Sequence, residues 1–200
     1  IGKPLTVFYD YEKIGIWQSK DEALALSYNA RPGEIRLKDQ NNDGEINSLD
    51  KVILGSDIPK WTGGMTNRFS YKGFDFSVFA YARQGSMIQS NYHRSLASLS
   101  GKSNVMSMDY WTPENPTDMW PRPNKNQESP TNVSTLTYFS GSFVKIRNMQ
   151  LGYNLPRGLM ERLKMQSLRI YASAQQPFIL FSPYVNKYHG IDPEFDRSVG

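Results

Sequence analysis

The sequence predicts an all-β fold: antiparallel strands forming part of a transmembrane β-barrel, with long outward loops and short inward turns. Three observations predict it. Aromatic residues make up 13% of the 200-residue chain, with twelve Tyr and ten Phe, a composition suited to strands whose rings sit where water meets something apolar. Several stretches alternate apolar and polar side chains over about ten residues, which puts the two kinds on opposite faces of a strand. The connections between these stretches are short and long by turns, and a water-soluble sandwich has no reason to sort its loops that way.

Taken in order, Ile1 to Gln18 carries Val7, Phe8, Tyr9, Tyr11, Ile14, Ile16 and Trp17 between glycines and reads as short strands. Ser19 to Tyr28 predicts a short helix, with Ser19 as its cap and Glu22 three residues on. Arg31-Pro32-Gly33 breaks that helix, and Glu34 to Lys38 is a brief strand leading into an acidic loop, 33–58.

Lys60 to Tyr71 and Phe74 to Arg83 form a hairpin about Lys72-Gly73. In the return strand Phe74, Phe76, Val78, Ala80 and Ala82 share one face, and Asp75, Ser77, Phe79, Tyr81 and Arg83 share the other. In the incoming strand Phe69 and Tyr71 oppose Arg68 and Ser70. A long outward loop follows, 84–141, rich in Ser, Asn, Pro and Met; connections of such length are usually functional. Within it Tyr92 to Leu99 suggests a short helix, and Tyr110 to Pro123 is extended and held by its prolines.

Ser142 to Leu155 returns to β structure, with Met149, Leu151 and Tyr153 on one face and Asn148, Gln150 and Asn154 on the other. Pro156 to Gln166 is a compact connection with one helical turn at most. Ser167 to Gln176 is the cleanest strand: Leu168, Ile170, Ala172 and Ala174 face one way, and Arg169, Tyr171, Ser173 and Gln175 the other. From Pro177 onward the chain reads as loop.

The stretch Asp39 to Asp50, DQNNDGEINSLD, has the spacing of a calcium loop. Asp39, Asn41, Asp43 and Asp50 occupy the first, third, fifth and twelfth positions, and Gly44 stands sixth, where such a loop turns sharply. A hard divalent cation needs several oxygens at once. The Glu45 carbonyl supplies one more, and Asn47 reaches the ion directly or through water. The last position is an Asp where an EF-hand carries a longer Glu. The same residue types also dominate ordinary turns.

Other chemistries find little support. The formal charge of +4 is modest, and Lys and Arg are scattered, so no nucleic-acid stripe forms. The chain has no Cys, which removes a disulfide framework, a thiolate metal site and a cysteine nucleophile. His93 and His189 are the two histidines, each without a catalytic motif around it, and no catalytic residues are assigned. No apolar run is long enough for a membrane helix, a test that barrel strands escape. The N-terminal residues lack the order of a signal peptide, so the chain is expected to begin within a longer protein.

The runs PGEIRLKDQNNDGEINSLDKVILGSDIPKWTGGMTNRFSYKGFDFSVFAYARQG, YWTPENPTDMWPRPN, SFVKIRNMQLGYNLP, LRIYASAQQPFIL and GIDPE resemble, in order and over nearly the whole chain, the C-terminal part of the SusC/RagA-like TonB-dependent outer-membrane transporters. The resemblance implies strands from a 22-stranded barrel in the outer membrane of a Gram-negative bacterium, surrounded by lipid. It further implies import of glycans or peptides, a SusD-like surface lipoprotein as lid, and power from TonB. Compared with that family the chain shows neither plug domain nor TonB-contacting segment and stops before the terminal aromatic strand. Residues 1–200 are therefore expected to be a partial barrel segment that needs the rest of its barrel, since open edges are not tolerated in lipid. On this reading Arg68, Asp75, Arg83, Arg169 and Tyr171 face a polar lumen and Phe74, Phe76, Val78, Leu168 and Ile170 face lipid.

The alternative is a secreted, calcium-stabilised, β-rich carbohydrate-binding module, with Tyr110, Trp111, Trp120 and Tyr138 stacking on sugar rings. Packing of the loop on its own side chains accounts for those aromatics more simply.

Overall fold

The computed structural model describes residues 2, 4–96 and 107–196. Among them the chain forms strands β1 (Phe8–Tyr11), β2 (Lys13–Ile16), β3 (Ile35–Leu37), β4 (Lys51–Gly55), β5 (Trp61–Tyr71), β6 (Phe74–Gln84), β7 (Met87–Gln89), β8 (Tyr138–Ser140), β9 (Phe143–Asn154) and β10 (Arg169–Phe181). Four short helices accompany them: α1 (Glu22–Ser27), α2 (Asn91–Leu96), α3 (Arg157–Arg162) and α4 (Pro183–Tyr188). The chain divides into two compact units, one of residues 59–86 and 140–193, the other of 1–58, 87–139 and the segment from Glu194.

The first of these units is a wall. Its four long strands form one antiparallel sheet in the order β10-β9-β6-β5. β5 and β6 meet at a two-residue turn in which Lys72 (φ 45°) and Gly73 (φ 86°) are both left-handed, the pairing whose twist matches that of the flanking strands. Glycine is required at the second position: a Cβ there would lie 2.8 Å from the Asn154 carbonyl oxygen. Phe74 pairs with Tyr153, and Asn154 with Arg169, so the β5–β6 turn and the β9–β10 connection lie at the same end of the sheet. The long connections leave from the opposite end. That is the segregation the sequence predicted.

The register fixes the two faces. Tyr71, Phe74, Tyr153 and Ile170 form one row across the sheet, and Phe69, Phe76, Leu151 and Ala172 the next. On the other face the rows are Ser70, Asp75, Gly152 and Tyr171, then Arg68, Ser77, Gln150 and Ser173. A register shift between Phe79 and Ala80 leaves Arg147 bulged in β9. Beyond it Tyr81 and Arg83 continue the polar face opposite Lys145 and Phe143, and here the segment Ser182–Pro193 covers that face. Phe143, Lys145 and Tyr184 are fully buried, and Lys145 Nζ donates to Asp192 Oδ2 at 2.8 Å.

Two elements of the wall depart from expectation. Pro156 to Gln166 holds more than one turn, because α3 buries Met160 and so has a core anchor. β10 also runs past Gln176-Pro177 to Phe181 instead of ending there. Gln176 takes φ 50°, and the register shifts between Gln175 and Phe178. A proline, which has no N–H to give, is tolerated at such a bulge on a strand that is the sheet's edge among the described residues.

The second unit is built from two-stranded pairs, β1 with β4, β2 with β3 and β7 with β8. Its core gathers Ile16, Ile35, Leu37, Trp111, Trp120 and Leu136. The main-chain N–H of Trp111 donates to the Trp120 carbonyl at 2.9 Å, and its indole donates to Gln18 Oε1 at 2.9 Å. The two tryptophans of YWTPENPTDMW are therefore core residues, while Tyr110 remains exposed. The segments expected as loops, 33–58 and 84–141, contain β4, β7, α2 and β8. Their strands are only three to five residues long, too short to display alternation. Ser19 is not a cap: Gln18 holds that position without a side-chain bond, and Ser19–Asp21 forms a 3-10 turn entering α1. The helix predicted over Tyr92 to Leu99 is α2, and positions 97–99 lie outside the described residues.

Candidate functional site

The acidic loop adopts the predicted turn, with Asn42 at φ 60° and Gly44 at φ 84°. Its side chains are aimed at its own backbone. Asp39 Oδ1 accepts from the Asn42 N–H at 2.7 Å, and Oδ2 accepts from the Gly44 N–H at 2.9 Å and from the Tyr28 hydroxyl at 3.2 Å. Asn41 Oδ1 accepts from the Asp43 N–H, Asn41 Nδ2 donates to Asp43 Oδ2 at 2.7 Å, and Asp43 Oδ1 accepts from the Glu45 N–H at 2.9 Å. Burial acts upward on the Asp39 carboxyl, but the amides of Gly44 and Asn42 and the Tyr28 hydroxyl outweigh it and hold the group below its ordinary value.

Asp50 stands apart from the others. It is fully buried, and its two oxygens accept from the Gln40 and Asn47 N–H groups at 2.8 and 2.9 Å. With Asn47 Oδ1 accepting from Leu49 N–H, it forms a capping box that draws the two ends of the loop together. Asn41, Asp43 and Glu45 are on the exposed arc, Asp39 at its start is half-buried, and Asp50 is the staple beneath it. Among the described residues no three His, Cys, Asp or Glu side chains converge as a metal cluster. The oxygen-only donor set still suits a hard cation, because an ionised carboxylate offers about four lone-pair sites and these carboxylates use only part of them.

On the wall, three of the five residues predicted to face a lumen, Asp75, Arg169 and Tyr171, come together across the sheet; Arg68 lies in a separate row, and Arg83, near the far end of β6, is buried. Arg169 Nε and Nη2 donate to Asp75 Oδ1 and Oδ2 at 3.2 and 2.5 Å. The two residues sit on β10 and β6, so the pair bridges over β9, and it does so at Gly152. A Cβ at that position would lie 2.5 Å from Arg169 Nη2 and 2.7 Å from Asp75 Oδ1. Arg147 lies over the Tyr81 ring at 4.0 Å on the same side. The opposite face carries Met65, Phe69, Tyr71, Phe74, Leu151, Ile170 and Phe178, all exposed. Phe74 and Tyr153 touch at 4.4 Å between ring centres, and Phe69 and Phe76 at 6.3 Å.

His93 does not stand between a serine and a carboxylate. His93 is buried with Ser90 and Asp196, but Ser90 Oγ takes the middle place, 3.0 Å from His93 Nδ1 and 2.6 Å from Asp196 Oδ2. A nucleophilic serine needs the imidazole between itself and the carboxylate; here the serine also accepts the His93 N–H at 3.0 Å and tethers the start of α2. His189 ends α4 in a left-handed conformation. In the same unit the Tyr138 hydroxyl donates to Asp10 Oδ2 at 3.1 Å, and burial, with that carboxylate beside it, pushes the phenol up to about 12. Sequence reading missed the Ser90 and Lys145 clusters. Each joins residues far apart in the chain, and no local spacing announces such a contact.

No helix among the described residues is long and apolar enough to cross a membrane, a statement silent about strands. The long two-faced strands, with short links gathered at one end, define a section of an outer-membrane-type β-barrel wall. Comparison with known proteins makes the assignment specific, although no family model matches the chain. It is 30% identical over 196 residues to TonB-dependent receptor P3 of Formosa agariphila, covering 96% of this chain and 19% of that protein. It is 27% identical over 214 residues to TonB-dependent receptor SusC of Bacteroides thetaiotaomicron, covering 100% of this chain and 18% of that one. Among solved structures it superposes on the RagAB peptide importer in its open-open state with a TM-score of 0.66 at 23% identity, covering 97% of this chain and 20% of that one. The chain belongs to the SusC/RagA-like TonB-dependent transporter family and spans about a fifth of the length of the relatives it matches.

Proposed function

We propose that the full-length protein is an outer-membrane importer of glycans or peptides, driven through TonB and lidded by a SusD-like surface lipoprotein. In this reading the present chain supplies four strands of the barrel wall and the loop-bearing unit joined to them in sequence. The observation that carries it is the asymmetry of the wall. One face is a continuous exposed surface of aromatic and aliphatic side chains, and the other is crossed by the Asp75–Arg169 ion pair. Exposed apolar surface of that extent is foreign to a soluble module and suited to lipid.

The dimensions agree. On the apolar face Trp61 and Tyr71 stand at opposite ends of β5, ten residues apart and so about 34 Å along the strand. A strand tilted by roughly 35–45° converts that to a height of about 24–28 Å, the span of the apolar band between aromatic girdles.

The acidic loop is read as a calcium loop on the outward side. Asp39, Asn41, Asp43 and the Glu45 carbonyl would hold the ion, and Asp50 would close the loop beneath it. Calcium there would stiffen an exposed loop, a role for which modest affinity suffices in a calcium-rich exterior.

The test is uptake. Cells carrying the full-length protein should accumulate a fluorescently labelled glycan or peptide, and lose that uptake when TonB is deleted. Recovery of the full-length protein in the soluble fraction without detergent would contradict the proposal.

A further inference from the structure

The short-turn end of the wall carries basic and apolar side chains that transport leaves unused. Lys72 on the β5–β6 turn, Arg157 and Arg162 on α3, and Lys164 just after it are all exposed. None of them forms an ion pair among the described residues. Against these four cations the two connections hold one acid, Glu161, which leaves a net charge of +3. The Gly73 carbonyl accepts the Asn154 N–H at 2.8 Å, so the two connections are joined at their roots.

Between the cations the β9–β10 connection exposes Leu159, Leu163 and Met165, while Met160 is buried and anchors the helix. Leu159 and Leu163 stand four residues apart on one side of the helical turn, and the Leu163 N–H donates to the Leu159 carbonyl at 3.1 Å. Basic side chains interleaved with exposed aliphatic ones are the composition of a segment that lies in the plane of a membrane surface. The roots of the connection fall on the apolar face. Leu155 continues the Leu151 and Tyr153 alternation of β9, and Leu168 continues that of Ile170 in β10; the Leu155 N–H donates to the Leu168 carbonyl at 3.0 Å. On the neighbouring turn the Lys72 ammonium lies 5.2 Å from the ring centre of Tyr71, in the outermost apolar row. A lysine that runs its stem along apolar surface and keeps its head in water sits at headgroup level.

We propose that α3, the turn after it and the Lys72 turn form an interfacial rim that binds the headgroups of anionic phospholipids, with Leu159, Leu163 and Met165 entering the leaflet beside them. Two features select this occupant. The rim's charge is opposite to that of the headgroups, and the rim continues the row of Tyr71, Phe74, Tyr153 and Ile170 that ends the apolar face. The proposal rests on the reading that this face meets lipid.

The test uses cysteine-free full-length protein carrying Leu163→Cys labelled with a fluorophore. It is reconstituted in vesicles of phosphatidylglycerol and phosphatidylcholine in equal amounts, with bromine on the chains of one lipid or the other, and quenching is read. Both lipids should quench, brominated phosphatidylglycerol by about fivefold or more the better, the attraction of a single basic side chain to an anionic surface. Arg157→Gln, Arg162→Gln, Lys72→Asn and Lys164→Asn together should make the two lipids equal; asparagine is used where the backbone is left-handed, at φ 45° and 55°. Equal quenching with the four cations in place, an unchanged preference in the fourfold variant, or a probe that neither lipid quenches each overturns the proposal. A second probe at Leu151, within the wall, decides the lipid reading by itself. A Leu151 probe that neither lipid quenches removes that reading and the rim with it, whereas quenching at Leu151 without a preference at Leu163 removes the rim alone.

Discussion

Replacing Gly152 by alanine tests the wall's internal logic at one atom. Gly152 lies on the middle strand of three, beneath the Asp75–Arg169 pair, and its backbone is at a φ any residue accepts, so the added methyl conflicts only with the pair. At 2.5 and 2.7 Å from the charged atoms it forces them apart. The pair is partly exposed, 40% and 33% for the two side chains, so screening by water keeps its worth to about 0.2–1 kcal/mol, the two-point geometry placing it toward the upper end. Against this, alanine for glycine stabilises by about 0.4–1 kcal/mol where the backbone permits, by narrowing the unfolded ensemble. Gly152→Ala should therefore be neutral or destabilising in the native background. It should become stabilising once Asp75 and Arg169 are both Ser, with a coupling of about 1 kcal/mol between backgrounds. Urea unfolding of the full-length protein in detergent, followed by tryptophan fluorescence, measures it. An alanine that stabilises equally in both backgrounds refutes the reasoning.

Three further outcomes are expected. Trp111→Ala should cost about 3–5 kcal/mol as a core truncation, and Tyr110→Ala, on an exposed ring, should stay within about 0.5 kcal/mol in the same unfolding assay; the reverse order would make the pair a sugar platform. Calcium should raise the thermal midpoint of the full-length protein, and Asp43→Ala should abolish the rise; because Asp39 is held below its ordinary value of 3.8, its contribution to stability is whole above that pH and is lost as pH falls through the lower folded value, which a thermal series in acid buffers would follow. Asp192→Ala leaves the buried Lys145 ammonium without its carboxylate and should destabilise by about 3–5 kcal/mol, whereas Lys145→Met should cost less by filling the site with an apolar chain.

The long strands were legible because each carries its alternation over ten or more residues, enough for the polar and apolar rows to stand out. The hairpin at Lys72-Gly73 was legible for the same reason, with the turn chemistry added. Of the short strands in the loop-bearing unit β3 was legible in Glu34 to Lys38, but β7 and β8 were not, since their pairing is decided by a partner far along the chain: β7 finds β8 about fifty residues on, across most of the 84–141 segment. Pro177 misled because proline is read as a strand breaker, and only the edge position and the bulge make it compatible. In the acidic loop the turn at Gly44 was visible in the spacing. The burial of Asp50 was not, because position twelve of a calcium loop and the last residue of a capping box are both filled by an acidic side chain, and only the fold shows where its oxygens go.

The central claim is that one face of the β5–β6–β9–β10 wall meets lipid and the other meets water. The chain has no cysteine, so single cysteines placed at Phe76 and Leu151, and at Ser77 and Gln150, in a cysteine-free full-length protein within lipid vesicles report each face separately. A membrane-confined thiol reagent should label the first two and a water-soluble reagent the second two. Labelling of all four by the water-soluble reagent would contradict the claim.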